Sequence, residues 1–286
     1  MALFQGNIFP KTLGFETQVY VSLPYDGHRY RKDGPAKTLI LLHGISDNAS
    51  GWIRHGLADA LAAEYNIAVI VPEGHKSFWL DMKHGGQYTT YIIGELPELM
   101  SKMFHIPADR DHLMIAGLSM GGFGALHAAL SKPDVFSAVG SLSGVTNINA
   151  FFGQAEKLGK ISDCGTNFIN EIVAVVGGRG IPEEKDDLCF LAKKNYEAAK
   201  TLDIYMACGT EDLLVYHQNK AFYDFLYKCG LNVTYEAWEG IHDWGFWRSA
   251  LDRFLEHSVG RPEEDDVFGG IMPYKSSIVD GKQGLC

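Results

Sequence analysis

The chain has 286 residues, 46% of them hydrophobic, and a formal net charge of −10 with a pI near 5.5. Because binding to nucleic-acid phosphates needs a clustered basic surface, this acidic balance argues against a nucleic-acid partner and fits small neutral or cationic substrates. No stretch approaches the roughly 20 apolar residues of a membrane span, and the first residues lack a basic segment followed by an apolar one, so we expect a cytoplasmic protein without membrane association.

The five cysteines indicate neither a disulfide framework nor a zinc site. Their number is odd, their spacing is wide, and no two of them form a C-x-x-C pair. They are Cys164, Cys189, Cys208, Cys229 and Cys286. We therefore expect a reducing compartment and no bound metal.

Short apolar runs alternate with amphipathic segments along most of the chain. Strands are predicted at 17–23, 38–42, 67–71, 113–116, 138–142, 203–208 and 232–238. Helices are predicted at 52–65, at 88–104 with Pro97 tolerated only as a kink or a restart, directly after Ser119, and at 244–257. This alternation predicts an α/β fold with a mostly parallel central sheet and helices on both faces.

We expect a single domain over residues 1–286, since no long Pro/Ser linker divides the chain. The alternation lapses at about 145–200, where a glycine-rich segment carries several aromatic residues. Two interpretations stay open: a small cap insertion over the site, or aromatics that pack a helical excursion. The residues from about 260 to 286, which contain an acidic run, are expected to form a peripheral tail.

Ser119 lies in the sequence Gly-Leu-Ser-Met-Gly, after a predicted strand and before a predicted helix. G-x-S-x-G alone arises by chance, but this strand–turn–helix setting is typical of a nucleophile elbow, in which a strained turn projects the serine hydroxyl above the sheet edge. The flanking glycines allow the strand and the helix to approach closely. We therefore predict Ser119 as a nucleophile, provided that a base, an acid and oxyanion donors exist.

The base and the acid should follow strand ends, because reactive groups of an open parallel sheet lie beyond its carboxyl edge. Among eleven histidines, His43 and His242 follow predicted strands. His43, directly before Gly44, is expected to place backbone amides, whereas His242, in the loop between the last predicted strand and the last helix, is expected to be the base. For the acid, Glu211 and Asp212 compete after the strand that ends at 208, and the shorter side chain of Asp212 suits a rigid acceptor. Asp243 is expected to begin the following helix.

The oxyanion of a tetrahedral intermediate needs two backbone donors. One is expected to be the N–H of Met120, which follows the nucleophile, and the other the N–H of Ile45, in the loop after an early strand. Gly44 would give that loop the freedom to turn its amide inward. Further candidate substrate-binding residues, together with Gly44, are Trp52, Phe151, Phe152, Leu213 and Trp244.

Several motifs in one order resemble the esterase D and tributyrin esterase-like branch of the α/β-hydrolase superfamily, over about residues 39–255. The motifs are Leu42-His43-Gly44 with Trp52, Glu95-Leu96-Pro97, the elbow through Ala125, Ser143-Gly144, Gly209-Thr210-Glu211-Asp212, and His242-Asp243-Trp244 with Trp247. The resemblance implies an α/β-hydrolase fold with Ser119, Asp212 and His242 as the catalytic triad.

The function implied is that of a serine carboxylesterase without cofactor, acting on short-chain acyl or hydroxycinnamoyl esters. S-formylglutathione hydrolase and acetylxylan esterase are alternatives within the resemblance, and an acyltransferase or a non-catalytic binding protein of the same fold are others, since fold does not fix function. The esterases that the chain resembles are often dimers or larger, so a homo-oligomer stays open.

Overall fold

A computed structural model describes residues 2–26, 34–154, 168–178 and 182–261. Its centre is an eight-stranded sheet with the order β1-β2-β4-β3-β5-β6-β7-β8. The first two strands are antiparallel to each other, β2 is antiparallel to β4, and the six strands from β4 to β8 in the sheet order are parallel. The predicted α/β fold with a mostly parallel sheet is confirmed.

The strands are β1 (Ala2–Ile8), β2 (Thr17–Leu23), β3 (Thr38–Leu42), β4 (Ala68–Pro72), β5 (Leu113–Leu118), β6 (Ala138–Leu142), β7 (Asp203–Gly209) and β8 (Val233–Trp238). All seven predicted strands are present within two residues of their predicted bounds. β1 was not predicted, because it is an edge strand whose side chains are mostly exposed on both faces and therefore carries no alternation of apolar and polar residues.

The helices are α1 (Gly51–Arg54), α2 (Ala58–Glu64), α3 (Tyr88–Thr90), α4 (Leu96–Phe104), α5 (Met120–Ser131), α6 (Ile148–Gly153), α7 (Phe168–Val176), α8 (Leu188–Lys194), α9 (Tyr196–Ala199), α10 (Tyr216–Lys228) and α11 (Trp244–Val259). None of the helices within the described ranges has the length and hydropathy to cross a bilayer.

Two predicted helices are interrupted. The helix predicted at 52–65 breaks between α1 and α2, where Leu57 takes a left-handed conformation with φ 57°. The helix predicted at 88–104 contains a π-helical turn at Tyr91–Glu95, which ends two residues before Pro97. Pro97 has no N–H to bond the preceding turn, so the wider π turn accommodates it and α4 restarts there.

The parallel strands separate two apolar cores, one on each face of the sheet. On β3, Leu39 and Leu41 point into the core that α11 covers, whereas Ile40 and Leu42 point into the core that α5 covers. This alternation follows from the two-residue period of a strand. Helices on both faces leave the carboxyl ends of the strands as the accessible edge of the sheet, where the candidate site lies.

The segment at 145–200 is partly helical, with α6 to α9 among its described residues. The backbone N–H groups of Lys83 and His84 donate to Val175 and Ala174 at 2.7 and 2.9 Å, which ties the end of α7 to the loop that follows β4. The predicted cap function remains a prediction. Residues 155–167 and 179–181 of this segment, and the tail beyond 261, lie outside the described residues.

Candidate active site

Ser119 connects β5 to α5 with φ 53° and ψ −116°, a strained conformation for a residue with a side chain. The turn is possible because its glycines allow close approach: a Cβ on Gly121 would lie 2.8 Å from the His43 carbonyl oxygen, and one on Gly117 would collide with the backbone of Gly121. The Ser119 N–H donates to Leu142 at 3.0 Å, which holds the turn over β6. The predicted elbow is therefore present, with the serine 6% exposed.

Three candidate catalytic side chains form a continuous hydrogen-bonded chain at the carboxyl edge of the sheet. His242 Nε2 lies 3.0 Å from Ser119 Oγ, and His242 Nδ1 lies 2.6 Å from Asp212 Oδ2. A carboxylate accepts only, so the proton of the neutral imidazole lies on Nδ1 and leaves the Nε2 lone pair for the serine hydroxyl. This geometry gives the serine an adjacent base and gives the base a fixed tautomer.

Of the two competing carboxylates after β7, the structure places Asp212 in the site. Asp212 is 1% exposed, and its Oδ1 accepts from the N–H groups of Leu214 and Val215 at 3.1 and 3.2 Å. Glu211 is exposed to solvent, and only its backbone N–H is used, in a 3.0 Å bond to Gly240 that joins the two loops. Both carboxylate oxygens of Asp212 therefore accept hydrogen bonds, which fixes the orientation of its short side chain.

The loop between β8 and α11 positions His242. Asp243 is the N-cap of α11 and accepts from the Phe246 N–H at 3.0 Å, as predicted. The Trp247 indole stands edge-on to the His242 ring, with centroids 5.0 Å apart. This packing contact was not foreseen as part of the site, although Trp247 was one of the residues that carry the resemblance.

The candidate oxyanion donors lie beside Ser119. A Cβ on Gly44 would lie 3.6 Å from Ser119 Cβ and 2.6 Å from Leu118 Cδ1, so the loop after β3 passes directly over the elbow. Met120 is the first residue of α5, where N–H groups have no partner within the helix. Within the described ranges, neither the Ile45 N–H nor the Met120 N–H donates a hydrogen bond to another residue.

A buried polar network lies beneath that loop and was not foreseen. Glu73, which directly follows β4, accepts from the N–H groups of Ala49 and His75 at 3.0 and 2.7 Å, and its Oε1 lies 3.1 Å from His43 Nε2. Burial favours a raised pKa for Glu73, but the hydrogen bond and charge of His43, with the two amides, hold that pKa at about 2. The only signal in the sequence was a glutamate placed directly after a buried strand.

Three of the residues predicted to contact substrate are buried in this structure. Trp52 is 0% exposed and its indole N–H donates to the Leu42 carbonyl at 2.9 Å, so it supports β3, and its contact with substrate stays a prediction. Phe151 and Phe152 are buried with ring centroids 5.7 and 4.7 Å from that of Phe78, which favours the alternative that these aromatics pack a helical excursion.

The remaining predicted contacts are accessible or lie beside the nucleophile. Leu213 directly follows Asp212 and is 99% exposed. Trp244 is half-buried, with its ring 5.4 Å from that of Trp247, which in turn contacts His242. With Gly44 against Ser119, these residues stay candidates for substrate contact.

In the part of the chain that the structure describes, no group of three or more His, Cys, Asp or Glu side chains is arranged to hold a metal ion. The steps that the Ser–His–Asp arrangement supports use proton transfer and backbone donors.

The chain is similar to several known esterases and serine hydrolases. A family model described as putative esterase matches residues 11–257. An acetyl esterase of Caldicellulosiruptor saccharolyticus is 33% identical over 262 residues, which cover 90% of this chain and 97% of the relative. Two solved structures from Staphylococcus aureus, an S-formylglutathione hydrolase and a fluorophosphonate-binding serine hydrolase, are each 29% identical with TM-scores of 0.75 and 0.74, and each match covers 90% of this chain and 98% of the other.

Proposed function

The chain belongs to the putative esterase family and is a carboxylic-ester hydrolase, and on that basis we propose that Ser119, His242 and Asp212 hydrolyse small esters through an acyl-enzyme. The observation that carries the proposal is the continuous chain from Asp212 Oδ2 through the imidazole to Ser119 Oγ, with contacts of 2.6 and 3.0 Å. These are hydrogen-bond distances suitable for a nucleophile and its base.

In the acylation half, Ser119 Oγ attacks the ester carbonyl carbon while its proton moves to His242 Nε2. The carbonyl oxygen becomes an oxyanion that accepts from the N–H groups of Ile45 and Met120. Asp212 stabilises the imidazolium and stays ionised. The intermediate collapses, the bond to the leaving oxygen breaks, and the imidazolium donates its proton to the departing alcohol.

In the deacylation half, water takes the place of the alcohol. His242 Nε2 accepts a proton from that water as its oxygen bonds the acyl carbon, and the same two amides stabilise the second oxyanion. Breakage of the bond to Ser119 Oγ releases the carboxylic acid and returns the proton to the serine. An added alcohol in place of water would give acyl transfer, so product analysis with added alcohols distinguishes an acyltransferase.

We propose a short acyl group as the preferred one. The acetyl esterase relative supports this choice, because the match covers nearly all of that protein. Leu213, exposed next to the triad acid, offers apolar contact to whatever part of the ester extends past the site.

Hydroxycinnamoyl esters are the second candidate. Trp244 supports them, because its half-buried indole packs on Trp247 beside the base and presents an aromatic surface near the site. Phe151 and Phe152, the other aromatic contacts that the sequence suggested for such a substrate, are buried in this structure.

Two measurements on one set of proteins test the catalytic proposal. Hydrolysis of p-nitrophenyl acetate by Ser119→Ala should fall to background, and a fluorophosphonate should modify the parent protein stoichiometrically at Ser119 and leave the variant unmodified. Ser137→Ala, which removes a serine hydroxyl bonded to the Leu113 carbonyl, is a matched control that should react like the parent. A Ser119→Ala variant with parental turnover would refute the proposal, and an unreactive parent would favour a non-catalytic binding protein.

A substrate panel tests the specificity proposal. We expect kcat/KM to be higher for acetyl and butyryl esters than for octanoyl and feruloyl esters, since ratios of kcat/KM report differential transition-state binding. S-formylglutathione and acetylated xylan belong in the same panel. Leu213→Ser should lower kcat/KM more for the octanoyl than for the acetyl ester, and equal losses would remove Leu213 from the binding site.

We further propose that the enzyme acts in the cytoplasm without a cofactor and without nucleic-acid or membrane partners. The acidic composition and the cysteine pattern support this proposal. Activity retained after exhaustive dialysis against a chelator tests the metal part, and fractionation of cells tests the location. Sedimentation equilibrium determines whether the protein forms a homo-oligomer.

A further inference from the structure

We infer that the buried Glu73–His43 pair positions the peptide that supplies one of the two oxyanion donors. The inference rests on the proposed function, in which the Ile45 N–H stabilises the oxyanion. Glu73 and His43 are positioning residues in this inference, because the pair acts on the reacting atoms through the loop after β3.

The first step concerns the orientation of a single peptide group. His43 is 0% exposed, and its Nδ1 lies 2.8 Å from the carbonyl oxygen of Gly44. That oxygen also accepts from the Asp47 N–H at 3.2 Å. The Gly44 carbonyl and the Ile45 N–H belong to one planar trans peptide, so they point in opposite directions. Holding the carbonyl in the interior directs the Ile45 N–H away from it, and no described residue accepts from that N–H.

The second step concerns the protonation of His43. Nδ1 faces a carbonyl, so it carries a proton in both states of the imidazole. When the ring is neutral, Nε2 accepts from the Gly74 N–H at 3.0 Å; when the ring is charged, Nε2 donates to Glu73 Oε1 at 3.1 Å. The bond from Nδ1 to the Gly44 carbonyl is the same in both states. The orientation of the peptide is therefore maintained whichever state the ring adopts.

The third step concerns the anchor. Glu73 is 7% exposed, and its two oxygens accept from amides on different segments: Oε2 from Ala49 at the far end of the oxyanion loop, and Oε1 from His75 in its own loop. Together with His43 at the start of the loop, Glu73 thereby fixes both ends of the segment that carries Ile45. Buried carboxylates are costly unless all of their partners are present, so this arrangement holds one geometry.

Glu73→Gln tests the inference with almost no change of volume. Each Glu73 oxygen accepts from a backbone N–H, so the amide nitrogen of glutamine faces a donor in either orientation and one anchor is lost. Removing an oxyanion donor outright costs about 100- to 1000-fold in kcat. For a displaced donor we expect kcat for p-nitrophenyl acetate to fall by roughly 10- to 100-fold, with KM changed less than about threefold and the affinity for phenylboronic acid reduced in parallel with kcat.

Asp252→Asn is the matched control. Asp252 is buried to a similar extent, on α11, and accepts from the Tyr65 hydroxyl at 2.7 Å, remote from the oxyanion loop. We expect it to lower the unfolding temperature without changing kcat or boronate affinity. If Glu73→Gln lowers only the unfolding temperature, as the control does, the pair is merely structural and the inference is overturned.

A pair of substitutions at His43 gives a second test that does not depend on Glu73→Gln folding. His43→Asn retains an N–H close to the Nδ1 position, toward Gly44, whereas His43→Gln retains one close to the Nε2 position, toward Glu73. We expect at least tenfold higher kcat for the asparagine variant among folded proteins, and equal kcat values would overturn the inference. If Ser119→Ala is inactive but Glu73→Gln and His43→Gln both keep the parental kcat, the positioning role is refuted and the proposed function stands.

Discussion

Replacement of Asp212 by asparagine should reverse the tautomer of His242. In the native site, Asp212 Oδ1 accepts from two backbone N–H groups and Oδ2 accepts from His242 Nδ1. An asparagine that keeps its oxygen toward the two amides must turn its NH₂ group toward Nδ1. The opposite orientation would place that NH₂ group against two donors and lose two hydrogen bonds, so the first is favoured by about 2 kcal/mol.

In the favoured orientation, the NH₂ group donates to Nδ1 and the imidazole proton moves to Nε2, which faces Ser119 Oγ. The ring can then no longer accept the serine proton. The same substitution in serine-protease triads lowers kcat about 10⁴-fold, which corresponds to about 5 kcal/mol of transition-state stabilisation. We expect a loss of that order for this enzyme, with KM nearly unchanged.

The assay is steady-state hydrolysis of p-nitrophenyl acetate, with thermal unfolding of each variant to show that the protein is folded. Glu211→Gln is the matched control, because this neighbouring carboxylate is exposed and its side chain takes no part in the site. A folded Asp212→Asn enzyme whose kcat lies within tenfold of the parent would refute the role of Asp212, and a comparable loss in Glu211→Gln would show that the acid was misassigned.

Three further substitutions test other parts of the structure. Gly44→Ala places a methyl group 2.6 Å from Leu118 Cδ1, so we expect kcat to fall by at least tenfold and the free energy of unfolding by about 1–3 kcal/mol. Gly153→Ala, which adds its methyl group in open space, is the control and should change neither quantity. A Gly44→Ala variant with the parental kcat would show that the oxyanion loop lies elsewhere. Burial lowers the pKa of His127 to about 4 from an ordinary 6.5, so as the pH falls the unfolded chain binds the proton first, and the free energy of unfolding drops by about 3 kcal/mol between pH 6.5 and 4. In His127→Gln, the free energy of unfolding measured with urea should drop correspondingly less over this pH range. The same pH dependence in variant and parent would contradict this expectation. Ser119→Gly relieves a backbone strain of about 1–3 kcal/mol and should therefore unfold at a higher temperature than Ser119→Ala. A higher unfolding temperature for Ser119→Ala would show that the backbone at this position is not strained.

The fold and the candidate triad were largely accessible to sequence reasoning because both follow from strong local patterns. Buried parallel strands read as continuous apolar runs, and reactive residues must follow their carboxyl ends. That rule reduced the eleven histidines to His43 and His242 and the acid to Glu211 or Asp212. The length of the side chain then favoured Asp212, which the structure places 2.6 Å from the imidazole.

What the sequence did not reveal depends on contacts between distant segments. Phe151 and Trp52 look like ligand-binding aromatics until their neighbours are known, since an aromatic side chain serves a core and a pocket equally well. Glu73 carries no motif, and its role depends on the distance to His43 and Ala49 across the sheet edge. β1 was missed because an exposed edge strand has no buried face to impose alternation.

The order of the candidate catalytic residues along the chain has a consequence for how activity is acquired during folding. Ser119 and His242 are separated by 123 residues and meet only when β8 has docked beside β7 at the end of the parallel sheet. Contacts of such long sequence separation form slowly, because the loop between them must be closed first. A partly folded chain in which β8 has not yet docked has an elbow but no base beside it, so it does not hydrolyse esters. Ester hydrolysis by this protein is thus a readout of the completed fold, and recovery of turnover after dilution from denaturant reports the arrival of the last strand.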